Sequence, residues 1–567
     1  MTRRDVLASL AAIGCGTVTF QKALAAEVLR DEAKPTEPTT GPKSVTAEMV
    51  QQAEWIAGIL LTDDDRKLVA QSLSSKLGSL RSVREKPLPN GLLPALRFDA
   101  TGHAVERKNA PVEVKAPKFP ALDKPKTDED LAFAGVAKLG ALLRNRKITS
   151  VELTKLTLAR LKKYDPALLC VVTLLEESAL KQAAAVDDEL KAGKDRGPLH
   201  GIPWGAKDLI AYPGAPTTWG AEIFKKQAFE EKATVARKLD EAGAVLVAKL
   251  TLGALALGDV WFGGTTRNPW NPMQGSSGSS AGSCSAVAAG LVPFAIGSET
   301  LGSIVSPSTR CGTTGLRPTF GRVARTGCMV LCASMDKLGP ITRSAEDAAL
   351  VLDAILGSDP GDPSAVTRKA YPFGWPCDAK FADLTIGYVE ARTPAKERAE
   401  LKVFETLGCK LKPIPLPNGL ANRIVGTILD VESASTFDEL PRTGIRDGYG
   451  DYWRASFQAG QFVSAVEYLR ANRLRTRLMQ DMAKVFETVD AYVGGNDLAI
   501  TNLTGHPTIC LPNGFVEQGD VTVPTALTIT GRLFDESTLL HLGHAYQQAT
   551  GFHEKRPELG ALPPAKP

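Results

Sequence analysis

No part of this 567-residue chain restricts its fold more than residues 275–318, GSSGSSAGSCSAVAAGLVPFAIGSETLGSIVSPSTRCGTTGLRP. The stretch opens in a Gly/Ser loop. The small residues 281–290 predict a tightly packed helix, 291–296 a short apolar strand, and 299–303 a second Gly/Ser turn. Glycine permits backbone conformations and close approaches that other residues forbid, and serine supplies hydroxyls that donate and accept. One loop before a helix and one after a strand can bring hydroxyls and bare N–H groups to a single point. Those are the parts of acyl transfer: an oxygen nucleophile, a path for its proton and donors for an oxyanion. A flexible linker would not carry an apolar strand and a packed helix between its glycines.

Elsewhere helical and strand patterns alternate. Helices are predicted over 131–143, 150–163, 178–192, 233–242, 344–356 and 463–489, and strands over 169–174, 244–249, 384–389 and 491–494. Thr149 to Glu152 form a capping box, and the helix that follows is expected to stop before Pro166. This alternation places the chain in the α/β class. The first residues combine Arg3 and Arg4 with a short Ala-rich apolar run and small residues at 23–26, the pattern of a cleavable, twin-arginine-like export signal over 1–26. Cys15 is a loose match to a lipidation site. Residues 27–125 read as an accessory region: a polar spacer, helical residues 45–84 and a Pro-rich extended stretch from 86 to 126. A catalytic domain is expected over 126–555, with a Pro-rich tail over 556–567.

The net charge is +4, and +2 without residues 1–26. That lacks the basic excess of a nucleic-acid-binding protein, and no apolar run is long enough for a stable membrane span. Of nine cysteines, eight remain without residues 1–26; an exported protein can form disulfides, but the spacing names no pair and no metal site.

A serine nucleophile needs a base. The chain has six histidines, and their settings suit packing or turns. Gly278-Ser279-Ser280-Ala281-Gly282 fits the nucleophile-elbow pattern, yet that motif needs a strand directly before it, and the residues 268–274 predict a turn-rich loop. The other base is Lys207, within the apolar segment HGIPWGAKD. A lysine buried there loses its charge and becomes a base; a lysine whose head reaches water does not. The segment alone leaves both open.

Seven ordered blocks give the chain a resemblance to the amidase-signature family of serine hydrolases, from about residue 130 to 550. They are GIPWGAKD around Lys207, PTTWGAEIF after it, NPWNP at 268–272, GSSAGSCSAVAAG at 278–290, SETLGSIVSPSTRCGTTGLRPTFGRV at 298–323, SMDKLGPITRS at 334–344 and NLTGHPTICLPNG at 502–514. The resemblance implies a large mixed β-sheet core with helices on both faces. It also implies a Ser–cis-Ser–Lys triad: Ser303 as nucleophile, Ser279 as bridge in a cis peptide, Lys207 as base. The oxyanion hole would be the backbone N–H groups of Thr300, Leu301, Gly302 and Ser303. The implied reaction is hydrolysis of a small or linear amide, ester or carbamate through an acyl-serine, with no metal and no cofactor. The family usually has Asp at 299, Gly at 301 and Arg at 305, where this chain has Glu299, Leu301 and Val305, so Leu301 is expected to hold a turn usually given to glycine. Ala281 replaces another customary glycine. Two other readings stand beside the exported (periplasmic or secreted) amidase: a non-catalytic binding protein on the same fold, and the A-type subunit of a tRNA-dependent amidotransferase, which the export signal argues against. A homodimer is open to it.

Overall fold

The computed structural model describes residues 44–57, parts of 63–74, 98–103, and 122–560 apart from 391–394, 444, 446, 461–462 and 496. The export signal with Cys15, most of the spacer and of the Pro-rich stretch, and the tail beyond 560 lie outside the described residues. Two compact units are present: Met1–Pro89 with Phe462–Val466, and Asn90–Gln461 with Glu467–Pro567. In the first, the helix Ala47–Ala57 follows Val45, whose N–H donates to Ser74 Oγ at 2.7 Å.

The second unit is built on a mixed sheet of eleven strands. In chain order the strands are β1 (Val171–Leu174), β2 (Pro203–Lys207), β3 (Val245–Leu250), β4 (Val260–Trp261), β5 (Gly264–Thr265), β6 (Arg267–Asn268), β7 (Asn271–Gly275), β8 (Phe294–Glu299), β9 (Thr314–Arg317), β10 (Lys337–Thr342), β11 (Thr385–Tyr388), β12 (Lys410–Pro413), β13 (Ala491–Val493), β14 (Thr508–Gln518) and β15 (Val521–Gly531). The sheet order is β1-β3-β2-β8-β10-β9-β14-β15-β13-β11-β12; β4–β5 and β6–β7 are separate two-stranded ribbons. β2 runs parallel to β3 and β8, and β10 is antiparallel to β8.

Successive side chains of a strand face opposite sides, and β8 shows what that does here. Phe294 and Ile296 enter the larger core with Trp204, Ala206 and Leu338. Ala295 enters a second core with Cys284, Ile304 and Ile341. The helix Ala281–Ala288 covers that second face with every residue buried. Its small residues are a packing requirement. A Cβ on Gly282 would lie 2.4 Å from the backbone of Cys170 and Thr251.

Several elements depart from the sequence expectation, each for a local reason. The helix predicted to stop before Pro166 continues to Leu168. Proline removes one N–H and crowds one preceding turn, and so near the end this removes a single bond; the helix closes on Leu169, left-handed at φ 48°, whose N–H donates to Asp165 O at 2.7 Å. The predicted helix 131–143 is two, Asp128–Ala132 and Val136–Arg144, divided before Gly135. The strand expected at 291–296 starts at Phe294, because Gly290 takes φ +63° and Pro293 follows. β9, β10 and the β14–β15 hairpin carry Gly, Pro and Thr and gave no strand pattern. Pro340, which has no N–H to donate, stands in β10 opposite Ile296 of β8, and the register with β9 begins at the next residue, Ile341. Seven cysteines, Cys170, Cys284, Cys311, Cys328, Cys332, Cys409 and Cys510, are buried free thiols. Among the described residues no helix is long and apolar enough to cross a membrane.

Candidate active site

Lys207 is the last residue of β2, and its side chain is wholly buried. Its Nζ lies 2.8 Å from Ser279 Oγ, 3.1 Å from Ser280 Oγ, 2.9 Å from Ser298 Oγ and 3.3 Å from Ser298 O. Among the described residues no carboxylate bonds to it. Burial therefore dominates and pulls its pKa from the ordinary 10.5 down to about 7, against the weaker pull of Cys284, Asp336 and Glu299. The alternative of a lysine head in water is excluded by this geometry.

The serines around the lysine are not equivalent. Ser280 Oγ donates to Ser298 O at 3.1 Å and accepts from Ser298 N–H at 3.1 Å and from Lys207. With its proton and both lone pairs engaged, Ser280 is scaffold. This removes the serine of the elbow pattern from the nucleophile's place, although a short strand, β7, does precede it where the sequence predicted only turns. A neutral amine has two N–H donors and one lone pair, and Ser279 can offer its proton to that lone pair. The Gly278–Ser279 peptide bond is cis. Ser277, two residues earlier, is left-handed at φ 63°.

Ser303 lies in the turn after β8, beside Ser280. Its carbonyl accepts from Ser280 N–H at 3.1 Å, which fixes the turn against the start of the helix Ala281–Ala288. The Ser303 hydroxyl makes no hydrogen bond among the described residues, and the residue is only partly buried. The backbone N–H groups of Thr300, Leu301, Gly302 and Ser303 likewise find no acceptor among the described residues, whereas the next two do. Ile304 N–H and Val305 N–H donate to Glu299 Oε2 at 2.8 and 3.0 Å. Leu301 holds its place in the turn without a left-handed backbone. The left-handed residue is Gly302, at φ +85°, where a Cβ would meet Ser306 Oγ at 2.9 Å. Leu301 instead packs on the cluster of Ile424, Ile428 and Leu503.

Glu299 holds this turn from beneath. Its second oxygen accepts from Arg317 Nη1 at 2.6 Å and Asn502 Nδ2 at 2.8 Å, and both members of the ion pair are fully buried. Burial raises the Glu299 pKa, but the Arg317 and Lys337 charges outweigh it and hold the carboxyl at about 2. The longer glutamate reaches four donors at once, and the charge facing it comes from Arg317 on β9, so the loop keeps a charged partner with Val305 in place of arginine. Thr300 Oγ1 donates to Asp336 Oδ1 at 2.6 Å, and Asp336 Oδ2 accepts from Leu331 and Cys332 N–H at 2.8 and 3.0 Å. Sequence reasoning missed Ser298, Asp336 and the Arg317–Glu299–Asn502 clamp as working parts. Their only signal was that each lies inside a quoted block. Glu299→Gln puts an amide NH₂ against two of the donors and leaves a buried guanidinium without its counter-charge. Its unfolding free energy is expected to fall by about 3–5 kcal/mol, read from urea titration.

The histidines find other partners: His200 bonds Glu189 at 3.1 Å, His506 bonds Thr504 at 2.8 Å, and His541 bonds Ala379 O at 3.1 Å. Burial takes the His506 pKa down to about 3. Among the described residues no group of three or more His, Cys, Asp or Glu is arranged to hold a metal ion.

Comparison with known proteins agrees with the architecture. Residues 152–494 match the family described as Amidase. AmiD of Mycobacterium tuberculosis, which bears the name of an amidase, is 35% identical over 476 residues, 76% of this chain and 98% of that protein. The A-type subunit of the glutamyl-tRNA(Gln) amidotransferase from a Marinomonas species is 32% identical over 482 residues, 75% of this chain and 98% of that one. The solved structure of native peptide amidase from Stenotrophomonas maltophilia superimposes with a TM-score of 0.66 at 29% identity, covering 75% of this chain and 98% of its own.

Proposed function

The chain belongs to the amidase family, and on that premise we propose that it is an exported amidase that cleaves the carbon–nitrogen bond of a small or linear amide through an acyl-Ser303 intermediate. The observation that carries the reading is the buried Lys207 nitrogen 2.8 Å from Ser279 Oγ, with a pKa of about 7. Ser303 Oγ attacks the carbonyl carbon. Its proton passes to Ser279 Oγ as the Ser279 proton passes to Lys207 Nζ. The carbonyl oxygen becomes an oxyanion facing the N–H groups of Thr300–Ser303, donors already fixed by the turn and needing no reorganisation. The carbon–nitrogen bond then breaks as the proton on Lys207 returns through Ser279 to the leaving amine. Water, deprotonated by the same relay, hydrolyses the ester and frees Ser303. Among the described residues the Ser303 hydroxyl has no hydrogen-bond partner, and the relay's first link closes with substrate, as catalytic bonds often do. Export rests on the arginine pair and apolar run of residues 1–26.

A fluorophosphonate probe tests this reading. One adduct on Ser303, found by peptide mass spectrometry and suppressed in Lys207→Met, is the expected result. An unlabelled wild-type protein would favour a non-catalytic binding protein.

A further inference from the structure

The Asp336 carboxylate is held by three neutral donors. The Thr300 hydroxyl bonds one oxygen at 2.6 Å, and the Leu331 and Cys332 N–H groups bond the other at 2.8 and 3.0 Å. The cations around it are engaged elsewhere. Arg325 reaches the Asp336 carbonyl at 3.2 Å, but its charge is met by Asp362, on which it places bonds at 2.9 and 3.2 Å. Lys337 pairs in register with Glu299 and turns its amine to the Met335 carbonyl, and burial pulls its pKa well below the ordinary value. Burial also pushes the Cys328 thiol up to about 12 and the Cys332 thiol well above its usual range. Lys207 is the cation left. Burial lowers its pKa, and Cys284, Asp336 and Glu299 pull against that. Of those three, Cys284 is a thiol raised to about 11, and Glu299 has Arg317 as its counter-charge. The charge of Asp336 is the one not matched by its own partner.

The segment that carries Asp336 is fastened apart from the turn it holds. Ser334 N–H and Oγ donate to Glu432 at 2.9 and 2.7 Å, and Arg475 donates to Ser334 Oγ and to Ser334 O, both at 2.7 Å. Glu432 lies in the helix Asn418–Thr436 and Arg475 in the helix Ala465–Phe486. Through one carboxylate, Thr300 is tied to a segment that two helices anchor. The cavity lined by Ser298, Thr300 and Asp336 measures about 20 Å³, room for roughly one water molecule and too small to admit a substrate. Asp336 therefore acts on the reaction through Thr300 and Lys207.

We propose that Asp336 is a positioning residue for the reaction: it fixes Thr300 so that the first N–H of the oxyanion turn meets the carbonyl oxygen, and its negative charge steadies the protonated Lys207 that forms as Ser303 attacks. The proposal rests on the amidase reading above and adds a residue to that same site. A hydrogen bond to a carboxylate is shorter and stronger than one between neutral groups, which suits a tether. A carboxylate facing an amine favours the protonated amine. Asp336 is partly buried; burial raises its pKa, and the bonds from Thr300, Leu331 and Cys332 with the Arg325 charge work against that rise.

The rate of Ser303 labelling by a fluorophosphonate, followed with the full-length protein from about pH 5 to about pH 9, tests both parts. In wild type the rate should be half-maximal near the Lys207 pKa of about 7. Asp336→Asn is expected to slow labelling about 10–100-fold on the alkaline plateau, the worth of a misplaced oxyanion donor. It should also move the midpoint down by at least about half a pH unit, because Lys207 sheds its proton more readily without the facing charge. A merely structural role would leave that midpoint in place. Thr300→Val keeps the backbone N–H and loses the tether, so it should slow labelling about as much with the midpoint unmoved. Thr300→Ser, which keeps the hydroxyl, should stay within about threefold of wild type, and the double variant Asp336→Asn/Thr300→Val should be no more than about threefold slower than Asp336→Asn alone. Wild-type labelling rates in Asp336→Asn or in Thr300→Val, or an unmoved midpoint in Asp336→Asn, would overturn the inference and leave the amidase reading standing. A wild-type protein that takes no label would remove the amidase reading and the inference with it.

Discussion

Ser303→Ala is expected to lose amide hydrolysis by a factor on the order of 10⁶ in kcat, the scale seen when the nucleophile of a serine hydrolase is removed. No neighbouring hydroxyl is placed to substitute. Ser280 has its proton and lone pairs engaged. Ser279 is held to the base itself, at 2.8 Å. The fold should not suffer, because the deleted hydroxyl makes no hydrogen bond among the described residues and the Ser303 carbonyl keeps its bond from Ser280 N–H. Hydrolysis of hexanamide, measured beside an unchanged thermal melt, checks both halves of the statement. Residual activity within about 100-fold of wild type would move the nucleophile elsewhere, to Ser279 or Ser298 first.

The difference between Ser303 and Glu299 shows what the sequence made legible. The glycines and serines of 275–303 marked the loop, helix, strand and turn, because each needs small residues where backbones touch: Gly282 against Cys170 and Thr251, Gly302 against Ser306. They marked the place of the chemistry, and the family blocks supplied the roles. Glu299 looked like a deviation. Its function depends on Arg317 and Asn502, eighteen and 203 positions away, and such pairings leave no local pattern. Leu301, too, is governed by contacts beyond its own turn. Which residue of a turn takes positive φ is decided by the whole loop's packing, and here Leu301 finds an apolar cluster while Gly302 takes the strain. The strands β9 and β10 were hidden by the burial that makes them central. A strand covered on both faces needs no alternation, so KLGPIT and TGLR read as turns.

Lys207→Met is expected to lower kcat/KM by roughly 10²–10⁴-fold, the usual worth of a positioned general base. Lys207→Arg should give no rescue, since a guanidinium does not release its proton in this range. Wild-type kcat/KM is expected to fall about tenfold per pH unit below about 7 and to level off above it, because the base is the neutral amine and its pKa lies at about 7. Stability gives a second readout with a fixed sign. The unfolded lysine titrates near 10.5 and the folded one near 7, so between those values the unfolded chain binds the extra proton and wild-type stability rises with pH. Methionine has no such titration. The stability of Lys207→Met relative to wild type should therefore decline steadily from about pH 7 towards pH 10, in melts of the two proteins taken side by side. A relative stability flat across that window would mean that Lys207 keeps its charge in the fold, and a charged Lys207 has no lone pair with which to accept the proton of Ser303 through Ser279.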